Sequence, residues 1–148
     1  HQFRMKQNLN KLPKPINKFD MRFLILNEDK CKFNNKTLKT SNEIDLLIVV
    51  KSALEHRQRR NGIRQTWGFE ERFSDVVIKT IFILGSCHER YDIINCQDQI
   101  DDESQLHHDI VQADFTDSYY NNTIKIMMAF KWAVMNCPQA QHILFVEL

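Results

Sequence analysis

The segment Ile44-Asp45-Leu46-Leu47-Ile48-Val49-Val50 constrains the fold more than any other: it is short, rich in branched side chains and apolar at every position but one. A strand with one wet face alternates apolar and polar residues. A run this uniform suits a strand covered on both faces, as in a parallel sheet flanked by helices. The segments that follow fit such a sheet. A polar turn, Lys51 to Glu55, leads to a helix expected from about His56 to Trp67 and stopped by Gly68. Asn61-Gly62 weakens that helix, since glycine costs about 1 kcal/mol in a helix interior. A second strand is expected near Val76 to Leu84, a polar and partly helical stretch over Glu89 to Leu106, and a third strand around Asp109 to Ala113. The clearest helix runs from about Ser118 to Cys137, with Asp117 as its N-cap and Pro138 at its end. Ile126, Phe130, Ala133 and Cys137 form one apolar stripe, and Ile124, Met127 and Met128 extend it, so a largely buried helix is expected. A last strand spans His142 to Val146. The alternation is that of an α/β sheet, mostly parallel, whose ligands bind outside the carboxyl ends of the strands. Trp67 and Trp132 are expected in the core.

Of the 148 residues, 43% are apolar and 26% charged, enough for the core of one domain. Lys plus Arg is 20 and Asp plus Glu 19, a net charge of +1. That balance argues against a nucleic-acid binder held by bulk charge, and leaves a local basic pocket open. Residues 1–42 are rich in Lys, Asn and Gln, carry Pro13 and Pro15, and read as a stem or linker, with a short strand at Phe23 to Leu26 as the alternative. Residues 43–148 are the expected domain. The longest apolar run, Leu46 to Val50, falls far short of the roughly 20 residues that span a bilayer, and His1 to Asn10 lacks the apolar core of a signal peptide. The chain reads as a fragment with something missing at both ends. Cys31, Cys87, Cys96 and Cys137 allow three complete pairings, and spacing does not choose among them. They lack zinc-site spacing. Sequons at Asn35 and Asn121 weakly favour a secretory compartment.

Three places have chemical potential. Arg57, Arg60 and Arg64 share one helix face, just after Lys51 and Ser52 at the end of the first strand. Guanidinium forks beside backbone N–H groups suit a diphosphate; a solvated basic face beside Glu55 and Glu70 is the plainer reading. Neither a Walker loop nor GxGxxG occurs. In the second place, Asp109, Asp114 and Asp117 precede Lys125. These acids could hold ribose hydroxyls, pair with Arg60 or Arg64, or cap the helix. The third is Glu147, an acid past a buried strand, where a hard cation such as Mg²⁺ or Mn²⁺ binds if further carboxylates join it. His107-His108 is a poor metal pair, because adjacent strand residues point to opposite faces.

Taken in order, these segments resemble the β-1,3-glycosyltransferase family of galactosyl- and brainiac-like N-acetylglucosaminyltransferases. The matching residues are Leu47-Ile48-Val49-Val50-Lys51-Ser52, Arg59-Arg60-Asn61-Gly62-Ile63-Arg64-Gln65-Thr66-Trp67-Gly68, Phe82-Ile83-Leu84-Gly85, Glu103, Asp109-Ile110, Asp114 through Lys125, Cys137-Pro138 and Phe145-Val146-Glu147. The resemblance covers roughly residues 44 to 147. It implies a GT-A type, Rossmann-like fold binding a nucleotide sugar, truncated at the strand leading to the family's acidic DxD-type motif. It implies hexosyl transfer from a UDP-sugar to a glycan acceptor on a glycoprotein or glycolipid, with Mn²⁺ bridging the diphosphate. A type II Golgi membrane protein is implied too, with its signal-anchor before residue 1 and its domain in the oxidising lumen. On this reading Lys51, Ser52, Arg60 and Arg64 line or brace the nucleotide pocket, and Asp114 and Lys125 hold the loop beside the donor. Glu147 matches the first acid of the metal-binding triplet. Leu148 stands where the second acid should be, and the catalytic base is expected downstream, so the 148 residues alone are expected to be inactive. The alternative is a non-catalytic nucleotide-binding or interaction module; an unrelated Rossmann-like binder is weaker.

Overall fold

The computed structural model describes residues 20–32, 43–88 and 92–148. In chain order they form β1 (Phe23–Ile25), β2 (Ile44–Lys51), α1 (Arg57–Gln65), β3 (Ile78–Ser86), α2 (Ile93–His107), β4 (Ile110–Thr116), a 3₁₀ turn at Tyr119–Asn121, α3 (Asn122–Asn136) and β5 (Ala140–Glu147). The five strands make one sheet in the order β1-β4-β3-β2-β5, parallel throughout except for β1 at one edge.

The uniform apolar run is covered on both faces, as its composition requires. Leu47 and Val49 point into a cluster with Ile81, Ile83, Met128 and Trp132, on the face carrying α3. Ile48 and Val50 point the other way, against Phe82, Leu84, Ile63 of α1 and Ile100 of α2. Each such side chain contributes about 1.5–3 kcal/mol on burial. From β2 the chain steps one way to β3 and β4, then returns across the sheet to place β5 on β2's other side. The reversal makes the carboxyl ends of β2 and β5 a topological switch point, where open α/β sheets bind ligands.

Four details differ from the sequence reading. The expected stem boundary at residue 42 does not separate a stem from the sheet: Phe23 and Ile25 pair with Ala113 and Gln112 of β4, and Cys31 lies in the core. Residues 1–19 and 33–42, with Pro13, Pro15 and Asn35, lie outside the described residues. Trp132 is fully buried, but Trp67 is 40% exposed. On α3 the buried arc is Lys125, Met128, Ala129, Trp132 and Ala133, so Phe130 lies outside it and is half exposed, tilted against Phe145 at 4.3 Å. Asp117 does not cap the helix, because its carboxylate is engaged elsewhere; Asn121 holds that position.

All four cysteines pair, Cys31 with Cys137 and Cys87 with Cys96. The first bridge joins the turn after β1 to the end of α3 across 106 residues of sequence. In the chain-entropy account, closing a loop of that order removes about 4–5 kcal/mol of denatured-state freedom. No helix of the described residues is long and apolar enough to cross a membrane.

Candidate functional site

The parallel register places Lys51 directly opposite Glu147 across the switch point. Here a cleft of about 260 Å³ opens, lined by Lys51, Ser52, Asp117, Tyr119, Asn122, Lys125 and Glu147 among others. Lys51 is mostly buried by its strand neighbours, and its Nζ donates to Glu147 Oε2 and to Asn122 Oδ1, both at 3.2 Å. Asn122 completes the triangle, donating from Nδ2 to Glu147 Oε1 at 2.9 Å. The hydrogen bond from Lys51, then that from Asn122, holds the Glu147 carboxyl below its ordinary value. Asn122 is also the first residue of α3, so the N-terminal turn of that helix lies beside the cleft, with the Asn122 N–H itself taken by the Tyr119 carbonyl.

Lys125 sits deeper. Its Nζ donates to Asp117 Oδ1 at 2.6 Å and to the Ser52 carbonyl at 2.8 Å. Both partners of this pair are over nine-tenths buried, which is tolerable only because each charge meets hydrogen-bonding partners. The second carboxylate oxygen of Asp117 accepts the Gly85 N–H at 2.9 Å. A Cβ on Gly85 would lie 2.7 Å from Asp117 Cβ and 2.8 Å from the Phe115 carbonyl oxygen. Glycine is required here so that the chain can approach.

The arginines do something else. Arg60 is completely buried, and all its N–H groups are spoken for. It meets both oxygens of Glu103, at 2.8 and 2.7 Å. It also donates to Ser52 Oγ at 3.0 Å, the Ala53 carbonyl at 2.7 Å and the Leu54 carbonyl at 3.2 Å. Arg64 forks onto Asp109, at 2.7 and 2.8 Å, reaches Glu103 at 2.8 Å, and lies 4.8 Å over the Phe82 ring. Burial pushes the Glu103 carboxyl up, but the hydrogen bonds and charges of Arg60 and Arg64 outweigh it and leave the group below its ordinary value. Burial likewise lowers Arg64, and Asp109 and Glu103 more than reverse it. Arg57 is partly exposed and stands 3.9 Å from Glu103.

The sequence-derived site residues thus divide. Lys51, Ser52, Lys125 and Glu147 meet in the cleft. Arg60 and Arg64 do not line it. Arg60 fixes the turn 52–54 that forms its floor, and Arg64 buttresses Glu103. Of the two roles expected, lining or bracing, the contacts of Arg60 are those of a brace, and neither arginine belongs to a solvated basic face beside Glu55 and Glu70, since their carboxylate partners come from α2 and the residue before β4. Asp114 is misplaced: it is exposed on β4, two strands from β2, and pairs with Arg22 at 2.9 Å. Asp117, three residues on, lines the cleft. Asn122 was quoted in the sequence segment but given no role. Only the fold reveals that it bridges two elements. Asn121 donates from Nδ2 to the Thr116 carbonyl at 2.8 Å.

These residues do not by themselves fit Mn²⁺. A hard divalent cation takes six or more oxygen ligands. Glu147 offers one carboxylate already engaged by Lys51 and Asn122, and Asp117 is locked to Lys125 and Gly85. Among the described residues no group of three or more His, Cys, Asp or Glu side chains is placed to hold an ion.

A family model described as galactosyltransferase matches residues 58–147, which include Arg60, Arg64, Glu103, Asp117, Lys125 and Glu147. The chain belongs to the galactosyltransferase family. Its mixed α/β architecture, with a five-stranded, mostly parallel sheet, is consistent with a GT-A-like Rossmann-type domain. It is 40% identical to the β-1,3-galactosyltransferase brn of Drosophila melanogaster over 102 residues, covering 69% of this chain and 30% of that protein. Identity to mouse (Mus musculus) β-1,3-galactosyltransferase 1 is 33% over 131 residues, 88% of this chain and 36% of the relative. Identity to the human (Homo sapiens) lactosylceramide 1,3-N-acetyl-β-D-glucosaminyltransferase is 36% over 128 residues, 84% of this chain and 32% of the relative. This galactosyltransferase-family chain therefore spans about a third of the length of these curated relatives, all of them glycosyltransferases.

Proposed function

We propose that the cleft at the ends of β2 and β5 binds the diphosphate of a UDP-sugar. The chain would then be the donor-binding part of an enzyme that moves galactose or an N-acetylhexosamine onto a glycan acceptor in β-1,3 linkage. The observation that carries this reading is the convergence of Lys51, Ser52, Lys125 and the α3 N-terminus on one cleft at the topological switch point. Two ammonium groups beside a helix N-terminus suit a diphosphate, while the Ser52 hydroxyl, which donates to the Ala53 carbonyl, shapes the turn beneath them. Arg60 contributes at one remove, by fixing the Ser52–Leu54 turn so that the donors do not have to be ordered when ligand binds. The names of the relatives support hexosyl transfer, and one of them names a glycolipid, lactosylceramide; a glycan on a glycoprotein or glycolipid is the proposed acceptor.

The same reading places the domain in the Golgi lumen, anchored from before residue 1 as a type II membrane protein. Two disulfides support an oxidising compartment, where Asn35 and Asn121 are glycosylation acceptors. No acid or base is assigned to the acceptor hydroxyl, and we expect little or no turnover from these 148 residues alone. Titration of the chain with UDP, ATP and NAD tests the binding. Preference for UDP is expected; ATP or NAD binding without it contradicts the proposal. A turnover assay with UDP-galactose and UDP-N-acetylglucosamine tests the rest, and robust transfer by the chain would refute its inactivity.

A further inference from the structure

We infer that Asn122 is a positioning residue for the proposed donor cleft: its neutral side-chain amide fixes the buried Lys51 ammonium against the first turn of α3 and leaves that ammonium's charge available to a phosphate. The inference rests on the diphosphate reading of this cleft and adds a residue to which that reading gives no part. Lys51 ends β2, and its side chain is only 9% exposed. An exposed lysine swings on its flexible four-carbon stem to meet an incoming anion. A lysine as covered as this one does not. The place where its charge is presented is set before ligand arrives, by the groups that hold Nζ.

Lys51 Nζ donates to Asn122 Oδ1 and to Glu147 Oε2, each at 3.2 Å. The two acceptors act differently on the charge. A carboxylate offsets it. An amide oxygen accepts the hydrogen bond and leaves the positive charge in place, beside a helix N-terminus that is itself partly positive. Lys51 is the last residue of β2 and Asn122 the first of α3, so this one hydrogen bond ties together two elements whose ends line the cleft. The amide is also held from its other end, because Nδ2 donates to Glu147 Oε1 at 2.9 Å, and its oxygen is thereby turned to the cation. Leucine has nearly the volume of asparagine without the acceptor. Aspartate has the acceptor but brings a charge. The lining already sets Glu55, Asp117 and Glu147 against Lys51 and Lys125, so a further carboxylate there would repel a diphosphate.

The test is calorimetric titration of the full chain with UDP and, separately, inorganic pyrophosphate, comparing wild type with Asn122→Leu and Asn122→Asp. Both substitutions leave the Asn121 sequon intact. Asn122→Leu is expected to bind both ligands about fivefold more weakly, the weight of one ordinary hydrogen bond. In the Lys51→Gln background the same substitution should change affinity little, because no ammonium is left to position. A merely structural defect would cost affinity in both backgrounds alike. Asn122→Asp still accepts from Lys51, so it serves the test even where the leucine variant unfolds, and it is expected to bind pyrophosphate more weakly than Asn122→Leu does. Wild-type affinity in either variant overturns the inference, as does a loss that is the same with and without Lys51. When wild type binds UDP, those results sink this inference alone. If wild type binds neither UDP nor pyrophosphate, the diphosphate reading of the cleft fails and takes the inference with it.

Discussion

Arg60 and Lys51 carry the same charge and both adjoin Ser52, yet they are used in opposite ways. Arg60 is completely buried, with every N–H committed to Glu103 or to the turn 52–54. Lys51 reaches the rim of a cleft and holds a largely exposed carboxylate at 3.2 Å. The arginine region is a brace, whose charges are mutually satisfied and closed to ligands. The lysine region is the proposed site, and one of its two ion pairs has a largely exposed carboxylate. Being basic did not decide which is which. The burial of the carboxylate partner did: Glu103 is fully buried, whereas Glu147 is 64% exposed on its side chain.

The sharpest way to break this comparison is Glu103→Gln. Removing one member of a buried ion-pair network leaves the others uncompensated, and the expected loss is about 3–5 kcal/mol of unfolding free energy, read from urea titration of wild type and variant. A loss within about 0.5 kcal/mol, the range of ordinary surface changes, would mean that Arg60 and Arg64 are held by their other partners. Lys51→Gln, by contrast, should cost less than Glu103→Gln, because the carboxylate it leaves behind is 64% exposed and returns to water, while UDP binding weakens.

Acid should reproduce part of the first effect. Glu103 has a lowered carboxyl in the fold, so the unfolded chain takes up its proton first as pH falls. Its stabilisation is therefore complete above the ordinary carboxylate value of 4.5 and is lost as pH drops through the lower folded value. Denaturant midpoints should fall below pH 4.5 in wild type, and fall less steeply in Glu103→Gln. Equal slopes in the two proteins would place the acid sensitivity elsewhere.

Gly85→Ala probes the locked pair on the site's side. The added methyl would meet Asp117 Cβ at 2.7 Å and the Phe115 carbonyl oxygen at 2.8 Å, and neither is the end of a flexible side chain. Overpacking of this kind costs about 1–3 kcal/mol. Because Asp117 must shift, Lys125 should lose its partner, and UDP affinity should change along with stability. A stability loss with unaltered UDP binding would show that Lys125 does not depend on Asp117 for its position.

The division between brace and site explains what the sequence could and could not reveal. The uniform run at Ile44–Val50 carries its own environment, because only a strand buried on both faces tolerates it, and the α/β sheet followed. Lys51 and Glu147 were legible for the same reason, since each sits at the end of an apolar strand. Arg60 and Arg64 were legible only as alternatives, bracing and pairing with the acids among them, because their environment is set by Glu103 and Asp109, whose proximity depends on how α1 and α2 pack on one face. Asp114 and Asp117 are chemically alike and three residues apart, and only the fold distinguishes them, by giving Asp117 its buried contacts with Lys125 and the Gly85 N–H and Asp114 an exposed one with Arg22. The α3 stripe failed differently: Met127, Phe130, Val134 and Met135 are apolar but exposed, so a helix apolar on several faces does not announce which face is inside.

The smallest expected effect comes from Gly62→Ala, on the brace side. Gly62 lies within α1, has an ordinary negative φ, and a Cβ there would meet nothing within 4 Å. The methyl therefore costs no packing and removes the backbone freedom that glycine gives the unfolded chain, so stability should rise by about 0.5–1 kcal/mol. The position sits between Arg60 and Arg64, so a stiffer helix also holds the brace more firmly. If the brace is fully formed before ligand arrives, UDP affinity should not change. A gain in affinity matching the gain in stability would mean instead that the Ser52–Leu54 turn is only partly ordered in the free chain and that Arg60 finishes ordering it on binding.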